Sequence, residues 1–167
     1  GRETVKSFGV RSRFVHFEFF RLLSDHEGLG KKGDLMALEV NMRPSGGFTP
    51  DMINFARETD VYKIWADMVA YDSTQKPVGA HHFCAFAGLR DGKDFAMTPD
   101  AIIEKYTEQL KMVERMPDAL ADAMGNQMYL ATFDTEEALN AFFADVTRLK
   151  EVDTSEESET AETIVDK

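Results

Sequence analysis

The chain has 167 residues, of which 43% are hydrophobic, and this is enough to form the core of a globular protein. The formal net charge of −11 argues against nucleic acid as the main partner. No apolar run reaches the roughly 20 residues of a membrane span, so we expect no membrane association. The single cysteine, Cys84, cannot form an internal disulfide, and the chain does not open with an apolar leader, which predicts a cytoplasmic protein.

The first half of the chain predicts two strands followed by two helices. Alternating apolar residues at 13–23 and 35–41 indicate strands, and a polar, glycine-rich loop separates them. Antiparallel pairing is the simplest arrangement of two such strands. Thr49, followed by a proline and an acid, predicts one helix start, and Asp60 predicts the N-cap of another. The core-facing residues of that second helix would be Val61, Ile64, Trp65, Met68 and Val69.

The second half predicts strands and helices in alternation. A turn at 76–79 leads into this half, and Thr98 and Asp134 are expected to begin helices, the latter through a capping box with Glu137. A further helix at 118–124 would end at Gly125. The apolar stripe of the last helix is Leu139, Phe142, Phe143, Val146 and Leu149. The expected strands are 81–90, 94–97, 111–117 and 126–133.

These elements predict an α+β protein with an antiparallel sheet and flanking helices. We expect residues 1–78 to form one part of the chain and residues 79–150 a small α+β extension. Residues 151–166 hold seven acids and no base. Such a segment cannot bury enough apolar surface to offset its chain entropy, so residues 151–167 are predicted to be a disordered tail.

The segment LEVNMRPSGG, residues 38–47, places polar side chains on alternate positions of a strand. Glu39 and Asn41 therefore share one face, and Arg43 continues the row, while the apolar residues between them are expected to face a core. If the two strands pair, Glu18 lies opposite Glu39 or Asn41. Two carboxylates and an amide oxygen suit a magnesium ion, Arg43 suits a phosphate, and the backbone N–H groups of residues 45–47 can approach an anion closely.

A simpler interpretation is that Glu39 and Asn41 form a solvated strand face, with Arg43 in a surface ion pair of little energetic value. The argument against it is Glu18, which lies in an aromatic segment where a buried acid would need a partner or a metal ion. His16 shares the face of Glu18 and is expected to be a satisfied strand histidine. His81 and His82 are adjacent on a strand, so they point to opposite faces and are not expected to bind one ion together.

HFEFFRL, residues 16–22, followed by LEVNMRPSGG, resembles the metal-binding half of the ATP-grasp catalytic site. Biotin carboxylase, the carbamoyl phosphate synthetase large chain and D-alanine–D-alanine ligase belong to this superfamily. The resemblance covers roughly residues 5–72, and the continuation after residue 47 is most similar to carbamoyl-phosphate-synthetase-like members. It implies the C-terminal part of an ATP-grasp fold, with residues 79–150 as an extension.

The resemblance also implies roles for individual residues. Glu18 would bind one magnesium ion, Glu39 would bridge two, and Asn41 would bind the second. Arg43 would act in catalysis by contacting phosphate or the acyl-phosphate intermediate, and Ser45 and Gly46 would contribute to the nucleotide phosphate site. The implied cofactors are ATP and Mg²⁺, with Mn²⁺ as an alternative ion.

The implied activity is the ATP-dependent joining of an unidentified carboxylate substrate to an amine or another nucleophile. The lobe that holds the adenine and the Gly-rich lid does not precede Glu18, so we expect a C-terminal fragment that is inactive without that N-terminal lobe. Its oligomeric state is left open. An alternative is a non-catalytic interaction or oligomerisation module, which predicts an exposed apolar patch on the last helix. A hydrolase using two carboxylates as acid and base leaves Asn41 and Arg43 unexplained.

Overall fold

The computed structural model describes residues 1–74 and 79–151, and it shows a mixed α+β chain with small antiparallel sheets and flanking helices. The chain divides into an N-terminal unit, Gly1–Cys84, and a C-terminal unit, Ala85–Lys167. The predicted turn at 76–79 and the predicted acidic tail lie almost entirely outside the described residues. No helix within the described ranges is long and apolar enough to cross a bilayer.

The N-terminal unit consists of a two-stranded sheet and three helices. The elements are α1 (Arg2–Ser7), β1 (His16–Arg21), β2 (Leu35–Asn41), α2 (Thr49–Arg57) and α3 (Val61–Tyr71). The strands are antiparallel, as predicted. Asp60 caps α3 by accepting a hydrogen bond from the backbone N–H of Lys63 at 2.9 Å, also as predicted. The predicted capping role of Thr49 is wrong, because α2 begins at Thr49 itself and Phe48 precedes it without a side-chain cap.

The N-terminal unit buries little apolar surface. Val61 is the only buried hydrophobic side chain in its described part, residues 1–74 and 79–84. The prediction that Trp65 and Val69 face a core is wrong, since their side chains are 47% and 72% exposed. Leu38 and Val40 are also exposed, contrary to expectation. A two-stranded sheet has only one partner strand for each strand, and it is rarely stable without further packing.

The C-terminal unit is built around a three-stranded sheet. Its elements are β3 (Phe83–Leu89, which starts just before the unit boundary), α4 (Pro99–Lys105), β4 (Leu110–Arg115), α5 (Asp118–Met124), β5 (Gln127–Phe133) and α6 (Glu136–Thr147). The strand order is β3-β5-β4, and β4 and β5 are antiparallel. The central strand β5 is therefore hydrogen-bonded on both sides.

The core of the C-terminal unit lies between the central strand and two helices. Leu130 of β5, Ile102 of α4 and Phe142 of α6 have no exposed surface. The rings of Tyr106 and Phe133 pack against Phe142, with centroids 5.0 and 5.3 Å away. Burial of large apolar side chains is the main favourable term in folding. Among the described residues, most of the buried apolar side chains belong to this unit.

Asp145 of α6, whose side chain is partly buried, lies at the edge of this core. Its Oδ2 accepts hydrogen bonds from the hydroxyl of Tyr106 and the ammonium of Lys105, both at 2.5 Å. Burial, and then the bond to Asp145, raise the pKa of Tyr106 to about 12. The Lys105 ammonium, followed by the Tyr106 hydroxyl, lowers the pKa of the Asp145 carboxyl. The three side chains thus tie α4 to α6.

Local signals account for several helix ends in this unit. Thr98 caps α4, its hydroxyl accepting from the N–H of Ala101 at 3.2 Å. α5 ends at Gly125, as predicted. Gly125 has φ of +86°, and a side chain there would collide with the backbone of Gly88, since an added Cβ would lie 2.7 Å from that residue's carbonyl carbon.

Three predictions for the C-terminal unit are wrong. Leu149, expected on the apolar stripe of the last helix, lies beyond the end of α6 at Thr147 and is 52% exposed. α6 is capped by Thr135 rather than Asp134, because the Thr135 hydroxyl accepts from the N–H of Ala138 at 3.2 Å. Residues 94–97 do not form a strand, and only an isolated bridge joins Phe95 to Leu149. A short apolar run beside a glycine turn resembles a strand in sequence. Here only one of its residues forms a bridge, so the run does not pair with another strand.

Candidate functional site

The paired strands of the N-terminal unit bring the predicted site residues to one face. Glu18 lies directly opposite Glu39, and His16 lies opposite Asn41. After Glu18 the register shifts, so that Phe19 pairs with Ala37 and one residue of β2 is left over as a bulge. Bulges of this kind re-aim neighbouring side chains and are frequent beside active sites. The two acids and the amide therefore lie together on the stretch of sheet next to the bulge.

Side-chain contacts connect this group in two pairs. The amide nitrogen of Asn41 donates to Glu39 Oε1 at 2.5 Å. His16 Nε2 lies 3.0 Å from Glu18 Oε1. The guanidinium of Arg43 is 4.0 Å from Glu39 Oε1 and donates to the carbonyl of Pro44 at 3.0 Å. Asn41, Arg43 and the two glutamates thus form a polar row, in which Asn41 and Arg43 contact Glu39 while Glu18 faces Glu39 from the other strand. The alternation in sequence predicted that these side chains share one face.

The electrostatics of the row keep Glu39 ionised. The hydrogen bond from Asn41 lowers the pKa of the Glu39 carboxyl, and the positive charges of His16 and Arg43 and a hydrogen bond with Glu18 act in the same direction. Partial burial opposes them. The repulsion expected between facing carboxylates therefore does not raise the pKa of Glu39, because the surrounding donors outweigh it.

The prediction that Glu18 is buried among aromatic side chains is wrong. The Glu18 side chain is 44% exposed, and so is that of Glu39. The neighbours Phe19 and Phe20 are themselves exposed, so they cannot seal the acid from water. The argument for a site therefore no longer depends on the cost of burying a charge. It depends on the direct opposition of two acids with an amide beside one of them.

The loop after β2 contributes open backbone. Among the described residues, no acceptor is found for the backbone N–H groups of Ser45 and Gly46. A side chain at Gly46 would meet nothing within 4 Å, whereas Gly47 has φ of +59° and so adopts a conformation that favours glycine. Among the described residues, no hydrogen bond or ion pair joins Ser45 or Gly46 to the polar row, so these two residues extend the candidate site only as backbone hydrogen-bond donors to an anion.

The donor set fits magnesium when other ligands complete the shell. Mg²⁺ is commonly bound by one or two carboxylates together with waters and substrate phosphates. Glu18 and Glu39 supply the carboxylates, and Asn41 uses its amide nitrogen toward Glu39, which leaves its oxygen for a cation. Within residues 1–74 and 79–151, no group of three or more His, Cys, Asp or Glu side chains is arranged to hold a metal. An ion at this site would share its shell with waters or substrate phosphates, as is usual for Mg²⁺.

His16 differs from the satisfied strand histidine that was expected. His16 is only partly satisfied, because its Nδ1 atom is buried without a hydrogen-bond partner in the described part of the chain. The sequence pattern did place His16 on the face of Glu18, and this was the available indication that His16 lies beside the candidate site. His82 approaches Glu58, with Nε2 3.4 Å from Oε1, and its backbone N–H donates to the carbonyl of Ala56.

No family model matches the chain, and comparisons with curated proteins and with solved structures give no match either. The likeness to ATP-grasp enzymes consequently depends on the residues of the polar row and their order along the chain.

Proposed function

We propose that the chain is the C-terminal part of an ATP-grasp ligase of the carbamoyl-phosphate-synthetase-like type, which joins a carboxylate to an amine or another nucleophile. The observation that carries the proposal is the opposition of Glu18 and Glu39 across the strand pair, with Asn41 hydrogen-bonded to Glu39 on the same face. The order of these residues along the chain is that of the superfamily's metal ligands.

Each residue of the row has a role in this proposal. Glu18 would hold one magnesium ion, Glu39 would be shared between two, and Asn41 would hold the second, and the ions would supply positive charge to the phosphates. Arg43 stabilises negative charge on the transferred phosphoryl group, a task that suits a guanidinium within 4.0 Å of the bridging acid. Backbone N–H groups at Ser45 and Gly46 supplement it. Mn²⁺, which also accepts oxygen ligands, can replace Mg²⁺.

The reaction needs no nucleophile from these residues. The substrate carboxylate attacks the γ-phosphorus of ATP, ADP leaves, and the incoming amine then displaces phosphate from the acyl phosphate. Positioning and charge neutralisation supply most of the rate enhancement in phosphoryl transfer. Metal ions neutralise the phosphate oxygens. The lowered pKa of Glu39 suits this chemistry, because the carboxylate is ionised over the neutral range.

Exposed apolar side chains on the strand pair support a missing lobe. Phe20, Leu35 and Leu38 are 59%, 59% and 55% exposed. Large apolar side chains left exposed on so small a sheet are a common feature of surfaces that another part of a protein covers. In the proposal, the N-terminal lobe of the longer enzyme covers this sheet and also supplies the adenine pocket. The fragment alone is then inactive, and the carboxylate substrate depends on regions outside this sequence.

The interaction-module hypothesis loses the feature that distinguished it. It predicted an exposed apolar patch on α6, but Phe142 is fully buried and Leu139 and Phe143 are half-buried. The apolar face of α6 is thus used within the C-terminal unit.

The proposal is tested by calorimetric titration of the longer protein and of this chain with Mg²⁺ and a non-hydrolysable ATP analogue. We expect the longer protein to bind the Mg²⁺–nucleotide pair, and Glu39→Gln to weaken that binding by at least about tenfold and abolish ligase turnover, since the bridging charge is lost. This chain alone should bind far more weakly, because it lacks the adenine pocket.

Glu27→Gln is the matched control. Glu27 is exposed in the loop between β1 and β2, so it makes the same charge change in the same hairpin without touching the polar row. Its variant should bind and turn over like the wild type. Wild-type affinity and turnover in Glu39→Gln would rule out the assignment.

A further inference from the structure

The C-terminal unit contains a cavity of about 410 Å³, separate from the polar row of the N-terminal unit. Its volume lies in the range of small-molecule sites, which is roughly 300–1,000 Å³. One wall is apolar, and the residues that form it include Phe95, Met97, Pro99 and Ile102. The turn after β3, residues 90–94, and the side chain of Arg115 form the charged rim.

Most charges on this rim already have partners. The guanidinium of Arg115 forms a two-pronged hydrogen bond with the Asp91 carboxylate. Arg90 donates to the carbonyl of Asp122. Asp94 lies 3.6 Å from the ammonium of Lys150. These bonds stabilise the turn and position the rim residues, and they are not directed into the cavity.

Lys93 is the cation left over. It lines the cavity, and its ammonium has no hydrogen-bond or ion-pair partner among the described residues. The lining residues include three cations and two carboxylates, which leaves one cation in excess on this rim in a chain whose net charge is −11. A local excess of positive charge attracts anions even when the whole protein is acidic.

Tyr129 supplies an unsatisfied hydroxyl. Its side chain lines the cavity and is fully buried, and its oxygen has no hydrogen-bond partner in the described part of the chain. Burial, and to a lesser extent the charge of Asp100, raise the pKa of this hydroxyl, so it stays a proton donor. The influence of Asp100 indicates that the hydroxyl end lies near the start of α4, where Thr98 and Pro99 also line the cavity.

We propose that this cavity binds a small organic carboxylate that has an apolar body and a second oxygen acceptor. The carboxylate pairs with Lys93 at the rim, the apolar body packs against Phe95 and Ile102, and the acceptor takes the hydrogen bond of Tyr129. Buried hydroxyls without partners are rare and costly, so an acceptor from a ligand gives this one a reason to be retained.

The hydroxyl oxygen is covered, so a ligand reaches it only when a wall side chain moves. Met97 is half-buried in that wall, and its unbranched side chain changes conformation easily. The rest of the cavity is bounded by the ion-paired turn and the sheet.

The experiment uses the whole chain and three matched probes, followed by ¹H–¹⁵N NMR. 4-Acetylbenzoate has the carboxylate and the acceptor, 4-isopropylbenzoate is its isostere without the acceptor, and 4-acetylbenzamide lacks the charge. We expect 4-acetylbenzoate to shift the resonances of Gly92 and Gln127, which line the cavity, and to bind about fivefold or more tightly than 4-isopropylbenzoate.

Two variants separate the contacts. Tyr129→Phe should abolish the preference for the acetyl probe and leave the affinity for 4-isopropylbenzoate unchanged. It should also fold, because removing a hydroxyl without a partner is neutral or stabilising. Lys93→Gln should weaken both carboxylates several-fold and bring 4-acetylbenzoate to the level of 4-acetylbenzamide, while 4-acetylbenzoate still binds more tightly than 4-isopropylbenzoate. If the resonances of Gly92 and Gln127 do not shift at up to about 10 mM probe, a generous limit for so small a ligand, the proposal is overturned. A preference that survives Tyr129→Phe would do the same.

Discussion

Asn41 is the residue that sets the ionisation of the candidate site. Its bond to Glu39 is the largest cause of the lowered pKa of that carboxyl, ahead of the nearby positive charges. A hydrogen bond donated to a carboxylate stabilises the charged form. An amide therefore serves two purposes here: it keeps the acid charged, and it leaves an oxygen for a cation.

Asn41→Ala should raise the pKa of Glu39 toward its ordinary value of 4.5, because the main donor is removed. In the wild type the carboxyl should titrate below that value. A group with a lowered pKa contributes stability above its unfolded-state pKa and loses it as the pH falls through the folded-state pKa, so any contribution of Glu39 disappears in acid below 4.5. Carbon-detected NMR titration of the glutamate carboxyls measures the midpoint.

Asn140→Ala, on the exposed part of α6, is the control for the amide substitution and should leave the Glu39 midpoint unchanged. If Glu39 titrates at the same pH in wild type and Asn41→Ala, the Asn41 bond does not set its charge.

At the scale of elements, the amino acid sequence predicts where the strands and helices lie better than it predicts which of their side chains are exposed. The bounds of β2 and α5 agree with the predictions, because strand alternation and a terminal glycine are local features. The exposure of Glu18, Leu38 and Val69 was not predictable in this way. It depends on which surfaces meet, and apolar periodicity on a helix or strand only indicates a face that would favour burial.

The candidate site was likewise predictable only in part. Strand alternation predicted that Glu18 faces either Glu39 or Asn41, and the structure has Glu39 as its partner. The bulge after Glu18 could not be predicted, since a register shift depends on how the whole strand pair packs. The cavity of the C-terminal unit was missed because its residues come from separate elements, and the turn at Arg90 gave no hint beyond a charged loop.

Thr135→Ala should lower the free energy of unfolding by about 1 kcal/mol, because it removes the side-chain acceptor at the start of α6. α6 carries Phe142 and Val146 into the core, so its first turn is coupled to the cooperative unfolding of the unit. Urea denaturation measures the change, with an unchanged slope expected. Thr135→Ser keeps the hydroxyl and should retain most of the stability. Equal losses in both variants would mean that the hydroxyl is not the source of the effect.

At the scale of the whole molecule, the two units differ in how much apolar surface they bury. Fourteen of the fifteen buried hydrophobic residues in the described ranges belong to the C-terminal unit. Local opening free energies follow buried apolar contact and backbone pairing. The polar row therefore lies on the part of the chain that has less of both, which suits a site that another lobe completes.

Native-state hydrogen exchange should distinguish the two units by the exchange rates of their backbone amides. Amides of β5, the central strand, are paired on both sides around fully buried Met128 and Leu130, and they should exchange about a hundredfold or more slowly than those of β1 and β2. The same measurement on the longer protein tests the proposed lobe, because covering the exposed strand pair should slow the β1 and β2 amides while those of β5 stay as they are. Equal protection of both sheets in this chain alone would show that the strand pair is stable without a partner, and the argument from its exposed apolar residues would fail.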